Sequence, residues 1–295
     1  MPGWLFKARG RMLPLSSWPT AERSGVVGVF TDIDDTLTTH GAITAQALQA
    51  LADLKAAGLV VIAITGRHSG WCAPLVRGDS DRGVDPWPVD ALVAENGAVA
   101  FVPPISSQIG TQRPWNMREP LSKLHQQDAA TRASNTQRMQ RVAAEVLRQV
   151  PGAQLAKDEG GRETDLAFDY NEFARLSARQ VAQIVHLLQQ SGMHTTVSSI
   201  HIHGCFGDFN KWTGARWIVQ QLFRRDLAQE LDRWVFVGDS GNDQAMFEHF
   251  PHSVGVANIR RFASDLVHLP RYVTVNEYGA GFTEVSQALL AARPA

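Results

Sequence analysis

The sequence predicts an α/β protein whose parallel-sheet core is interrupted by an inserted α+β cap domain. Three observations carry this expectation. Short apolar runs at Val26–Phe30 and Leu59–Ile64 have the unbroken hydrophobicity of strands buried on both faces. The stretch between them has helical spacing, so strand, helix and strand follow within about 40 residues, the βαβ unit of a parallel sheet. This texture stops near Pro103-Pro104, gives way to long amphipathic helices, and returns at Lys211.

Each element has its own local reason. Thr44 can cap a helix in which Leu48, Leu51 and Leu54 share a face, and Gly58 ends it. After a polar loop at Arg77–Pro88, Ala91–Ala94 reads as a strand, and Asn96-Gly97 turns the chain tightly into Val99–Val102. In the middle of the chain, a helix is expected over Thr131–Val150, with Met139, Val142, Val146 and Leu147 on one face. A second is expected over Ala178–Gln190. Strand-like segments, Glu163–Tyr170 and Thr195–His203, accompany them. From Lys211 a helix runs to about Arg224, followed by strands at Trp234–Val237, Ser253–Val256 and Tyr272–Val275. The division that follows is a leader or arm at 1–24, a core at 25–103 and 207–295, and a cap at 104–206. Internal repeats and low-complexity segments are not seen.

Composition narrows the function classes. The chain has 295 residues, 44% of them hydrophobic and 19% charged, an ordinary globular balance. A formal net charge of -1 gives no electrostatic case for nucleic acid or an anionic membrane as partner. No apolar run approaches the ~20 residues that span a bilayer. Cys72 and Cys205 are read as reduced thiols, and a cytoplasmic location is the default expectation. Oligomeric state is not legible.

The strongest chemical signal is Asp32-Ile33-Asp34-Asp35-Thr36, directly after the first strand. Residues two apart in extended chain point the same way, so Asp32 and Asp34 can share one site at the carboxyl end of the strand. Two such carboxylates repel, and call for a cation or a shared proton. An acidic turn that caps a helix would look the same. Gly238-Asp239-Ser240-Gly241-Asn242-Asp243 puts a second acid cluster at a strand end. Asp239 can join Asp32 around a hard cation such as Mg2+, and Asp243 can hold a metal-bound water. Thr65-Gly66-Arg67 offers a hydroxyl and backbone N–H groups suited to phosphate oxygens, although an ordinary strand-to-helix turn has the same residues. Lys211, at a helix start, supplies a positive charge; taken singly it would be solvated surface.

In this order, the four segments resemble the motifs of the haloacid dehalogenase superfamily. Asp32, Asp34 and Thr36 match its first motif, Thr65 its second, Lys211 its third, and Asp239 with Asp243 its fourth. About 29 residues separate Thr36 from Thr65, and about 146 separate Thr65 from Lys211, so the resemblance puts the cap between the second and third motifs. Ile64-Thr65-Gly66-Arg67, Glu95-Asn96-Gly97-Ala98 and the form of the last motif look like the sugar-phosphatase branch, which includes sucrose-phosphate, trehalose-phosphate and mannosyl-3-phosphoglycerate phosphatases and the Cof-type hydrolases. Many relatives carry glycine after the third-motif lysine, where this chain has Trp212.

The resemblance implies a phosphatase dependent on Mg2+ and acting on a small phosphate monoester, a sugar phosphate or glycosyl phosphoglycerate. Asp32 would attack phosphorus and become an aspartyl-phosphate, and Asp34 would serve as general acid and then base. Mg2+ would be held by Asp32, Asp239 and the backbone carbonyl of Asp34, with Asp243 behind them. Thr65, Gly66, Lys211 and Asn242 would hold the phosphoryl group. The cap would act as a lid. Arg67 and Asn96 at the mouth, and Arg162, Glu163 and Asp165 in the cap, are candidate substrate contacts, the last three also readable as a charged loop. His201 and His203 alternate with apolar residues and are read as the polar face of a strand. The same motifs would fit a phosphotransferase or mutase, and a phosphoryl-accepting signalling module shares the acid, Thr and Lys set; Asp34 favours turnover.

Overall fold

The computed structural model describes residues 11–79, 81, 85–102 and 122–293. The start of the leader, part of the loop after Arg77, Pro103-Pro104 and the first stretch of the expected cap lie outside them.

The parallel runs assemble into one nine-stranded sheet. Its order is Leu13–Pro14, Tyr272–Val273, His252–Gly255, Trp234–Gly238, Gly28–Thr31, Val60–Ile64, Ala91–Ala94, Val99–Val102 and Ser122–His125. Pairing is parallel as far as Ala91–Ala94, and the last two strands are antiparallel. Central strands bury both faces. Val29, Val61, Ala63, Val235 and Val237 point to one apolar cluster, and Phe30, Ile62, Ile64, Trp234 and Phe236 to the other. This period of two is why the runs carry no polar alternation. Helices Ala45–Ala56 and Tyr278–Leu290 cover the first face; Lys211–Phe223 and Gln244–His249 cover the second.

Thr44 caps the first long helix by accepting from the Ala47 N–H at 3.1 Å, as its sequence suggests. Residues of the expected arm instead pack on the core. Leu13–Pro14 extends the sheet edge, and Trp18 is buried against Tyr272, stacked at 5.5 Å.

A smaller antiparallel sheet, ordered His194–Val197, His201–Cys205, Asp165–Asp169 and Gln154–Leu155, is covered by helices Ala129–Gln149 and Ala178–Gln190. The single strand expected over Thr195–His203 is a hairpin, turned at Ser198-Ser199-Ile200, where Ser198 Oγ accepts from the Ile200 and His201 N–H groups. Ser122–His125, expected within the cap, pairs instead with Val99–Val102 in the large sheet. Leu147, expected on the apolar face of its helix, is 42% exposed, because the stripe through Met139, Ala143 and Val146 is narrower than the pattern suggested.

The turn at Glu95-Asn96-Gly97 fixes the helix that carries Lys211. All three residues have positive φ, 50°, 52° and 116°, a strained conformation for Glu95. A Cβ on Gly214 would lie 2.4 Å from the Gly97 Cα, so helix and turn meet backbone to backbone. Trp212, the departure after Lys211, stacks on His249 at 4.4 Å, away from this contact. We predict that Gly214→Ala costs about 1–3 kcal/mol in chemical denaturation, the range for overpacking. Wild-type stability in the variant would show that the contact can relax.

Candidate active site

Three neighbouring parallel strands end at one edge of the sheet. Asp32 follows Gly28–Thr31, Thr65 follows Val60–Ile64, and Asp239 follows Trp234–Gly238. Adjacency in the sheet turns sequence positions far apart into one cluster.

Lys211 is the centre of that cluster. It has no solvent exposure, and its Nζ donates to Asp32 Oδ1 at 2.5 Å and to Asp243 Oδ1 at 2.7 Å. Asn210 caps its helix in a reciprocal box with Thr213. Burial opposes the ammonium charge, but Asp243 and Asp32 more than offset it, so the lysine stays protonated well above its ordinary range. Burial acts the other way on Asp32 and pushes its carboxyl up to about 7 despite Lys211. Asp239 is raised well above the ordinary value, by burial first and then by Asp32 and Asp243.

Single carboxylate oxygens of Asp32, Asp239 and Asp243 lie within 4.8 Å of one another. With all three ionised, the buried acids against one buried ammonium would carry two negative charges, which a divalent cation would balance. The donor set therefore fits a hard cation. Asp243 is the most engaged of the three: its Oδ2 accepts from the Asp239 and Ser240 N–H groups at 2.8 and 3.0 Å. That leaves Asp32 and Asp239 better placed as direct ligands.

Asp34 reaches the same cleft and is clamped by Arg67, with Nε and Nη2 each at 3.0 Å from one of its oxygens. Thr65 and Gly66 line the cleft, and the Thr65 hydroxyl accepts from the Arg67 N–H at 3.1 Å. Asn242 also lines it, donating to Asn96 Oδ1 at 3.0 Å. Asn96 thus stands behind the cleft as support for Asn242.

Arg162 and Asp165 are not brought to the cleft. The Arg162 side chain is 1% exposed and donates to Asp165, to Asp158 and to the Gly66 carbonyl. A buried charge is tolerated only when paired, and this pairing consumes it. Glu163 is likewise engaged, by Lys123, by Ser69 at 2.5 Å and by His125 at 2.8 Å.

Three further residues support the site. Asn258 donates to Asp239 Oδ2 at 3.1 Å and to the Asp35 carbonyl at 2.9 Å. Glu172 accepts from Arg67 at 3.1 Å and joins the two sheets through it. Glu95, buried, accepts N–H groups from Ser69, Glu163 and Thr164. Neither Asn258 nor Glu172 sits in a pattern that sequence spacing would flag; Glu95 belongs to the Glu95-Asn96-Gly97-Ala98 motif, but its buried partners are set by the tertiary fold. His201 and His203 sit in such a pattern, but the face they occupy is buried and lines the cleft; it is not a solvated strand face.

The chain belongs to the haloacid dehalogenase-like hydrolases, and it is a phosphatase. Residues 29–119 match the family model for haloacid dehalogenase-like hydrolase, and residues 123–281, more than half of the chain, match that for sucrose-6F-phosphate phosphohydrolase. No curated protein sequence matches the chain. Among solved structures it is similar to a Thermoplasma acidophilum protein, at 15% identity and TM-score 0.63, over 90% of this chain and 98% of that one. It is also similar to the sucrose-phosphatase of Synechocystis, solved with sucrose and phosphate, at 16% identity and TM-score 0.61, over 89% and 97% of the two chains. Trehalose-6-phosphate phosphatase of Aspergillus fumigatus follows at 17% identity and TM-score 0.57, over 96% and 100%. At these identities the likeness is one of fold. Among the described residues no helix is long and apolar enough to cross a membrane.

The two glutamates that join the layers set a pH dependence. Burial opposes their charge, yet hydrogen bonds from Lys123, Ser69 and His125 hold the Glu163 carboxyl down at about 2, and His201 with Arg67 holds Glu172 down at about 2. A carboxyl that titrates below its ordinary 4.5 when folded contributes stability that is present above that pH and lost as pH falls toward 2. We predict that the double variant Glu163→Gln, Glu172→Gln loses stability less steeply than wild type through that window. Denaturation midpoints measured across pH would show it. Parallel curves would mean that the pairs contribute nothing.

Proposed function

We propose that this phosphatase hydrolyses a small sugar-type phosphate monoester through an aspartyl-phosphate on Asp32. The observation that carries the reading is the Lys211 ammonium, buried between Asp32 and Asp243 beside Asp239 at the ends of adjacent strands. An in-line attack uses the carboxylate oxygen of Asp32 to which Lys211 does not donate. The new O–P bond forms as the P–O bond to the leaving group breaks. Asp34 delivers a proton to the departing oxygen, then takes one from the water that releases inorganic phosphate and restores Asp32. Arg67 now grips Asp34 at both oxygens, so proton delivery requires that grip to loosen when substrate enters.

Thr65, the Gly66 N–H, Lys211 and Asn242 are proposed to surround the phosphoryl oxygens, with Asn96 orienting the Asn242 amide. Asp32, Asp239 and the Asp34 carbonyl would hold Mg2+, with Asp243 in support, and the ion would supply charge that offsets the anionic transition state. The smaller sheet with its two helices is proposed to be the lid, closing over the cleft from the Ser198–His203 side. The sugar-type leaving group is supported by the sucrose-6F-phosphate phosphohydrolase model and by the bound sucrose of the Synechocystis neighbour.

Phosphate release from a panel of sugar phosphates, phosphoglycerates, nucleotides and an aryl phosphate tests this. It should need Mg2+ and stop on chelation. Asp32→Asn should lower kcat by ~10³-fold or more. Lys211→Met should lower it by about 10²–10³-fold, as for the loss of one positioned donor. A wild type inert on every ester, yet stably phosphorylated on Asp32 by a donor, would replace hydrolysis with transfer or signalling.

A further inference from the structure

Two cap histidines line the cleft, and the phosphoryl chemistry above uses neither. His201 and His203 lie two apart on one strand and so share a face, with their rings 5.9 Å apart. Each is oriented by a carboxylate. His203 Nδ1 is 2.9 Å from Asp165 Oδ2, and His201 Nε2 is 2.8 Å from Glu172 Oε2. The supports are themselves held: Arg162 donates to both oxygens of Asp165, and Arg67 to Glu172.

A carboxylate on one imidazole nitrogen fixes the tautomer. The His203 proton therefore sits on Nδ1, facing Asp165, and Nε2 keeps its lone pair. Burial, with Arg162 nearby, holds this histidine well below its ordinary range, so the ring is neutral. A Cβ built on Gly66 would lie 3.1 Å from Nε2, which places that nitrogen over the glycine between Thr65 and Arg67.

Nε2 is thus a buried acceptor at the border between the expected phosphoryl seat and the cap. Phosphate oxygens are acceptors too, so its natural partner is a donor on the leaving group. The other cap groups at the cleft agree: Ser198 and Ser199 bring short hydroxyl side chains. Among the described residues that line the cleft, the one guanidinium or ammonium is that of Arg67, already shared by Asp34 and Glu172. A second anionic group on the substrate would meet these acids without a cation to spare.

We propose that His203 is a specificity-determining residue whose Nε2 accepts a hydrogen bond from a leaving-group hydroxyl, so that the cap selects neutral polyhydroxylated phosphate esters over aryl and carboxylated ones. Asp165 and Arg162 are its positioning residues. The inference rests on the phosphatase reading and deepens it.

The test compares kcat/KM for wild type, His203→Leu and His203→Gln. Substrates are the sugar phosphate hydrolysed fastest, its monodeoxy analogues and p-nitrophenyl phosphate, which has no hydroxyl to donate from its leaving group. His203→Leu should lose about ten- to a hundredfold on the sugar phosphate, as expected when a buried hydroxyl is left without its hydrogen-bond partner. On the aryl ester the loss should be much smaller than on the sugar phosphate, and the thermal denaturation midpoint of the variant shows that it is folded. One monodeoxy analogue should be cleaved equally by wild type and His203→Leu. His203→Gln, whose amide oxygen reaches the Nε2 position, should recover part of the loss. Equal losses on both ester types, or no loss on the sugar phosphate, would overturn the proposal. Failure of the phosphatase reading shows separately, as a wild type that turns over neither ester and is indifferent to Asp32→Asn; this inference then falls with it.

Discussion

The structure depends on one buried ammonium. Lys211 is fully removed from water, and a lone charge in that position would be prohibitively costly. It is tolerable only because Asp32 and Asp243 close on it from two different strand ends. The constraint runs outward from there. The helix must start where its first residue can reach both acids, so Asn210 caps it and Gly214 meets Gly97 at backbone distance. The turn at Glu95-Asn96-Gly97 must in turn hold its unfavourable backbone, and Asn96 from that turn orients Asn242. One electrostatic requirement thus ties together the sheet, a helix and a strained turn.

A second set of charges joins the two layers. Glu95 of the core turn accepts backbone N–H groups from the segment that enters the smaller sheet. Arg162 returns a bond from that segment to the Gly66 carbonyl, and Glu172 meets Arg67 across the cleft. The contact between the layers is therefore polar and directional where each layer's own core is apolar. Such joints favour a defined relative pose, and they can be exchanged for solvent or substrate at modest cost.

The chemistry divides along the same line. The core supplies acids, a lysine and the Thr65-Gly66 turn, groups suited to any phosphate ester. The smaller layer supplies hydroxyls and oriented imidazoles, groups suited to telling one leaving group from another. Arg67 sits between, bonded to Asp34 on one side and to Glu172 on the other.

Much of this was legible along the chain. Unbroken apolar runs marked the strands because both faces of the large sheet are buried, and acids directly after those runs marked the site because parallel strands end together. The family resemblance followed from local order and spacing, which a sequence preserves. What the chain order does not encode is which distant groups meet. Arg162 and Asp165 read as substrate contacts or a charged loop, yet they neutralise each other in the interior. The His201 and His203 pattern was visible, but whether that strand face meets water or a cleft depends on what packs over it. Asn258 and Glu172 act across 223 and 105 positions, through contacts that no periodicity predicts. Local backbone preferences and burial patterns are written residue by residue; the pairing of buried charges is a property of the closed fold, because only there does the loss of water force each charge to find its partner.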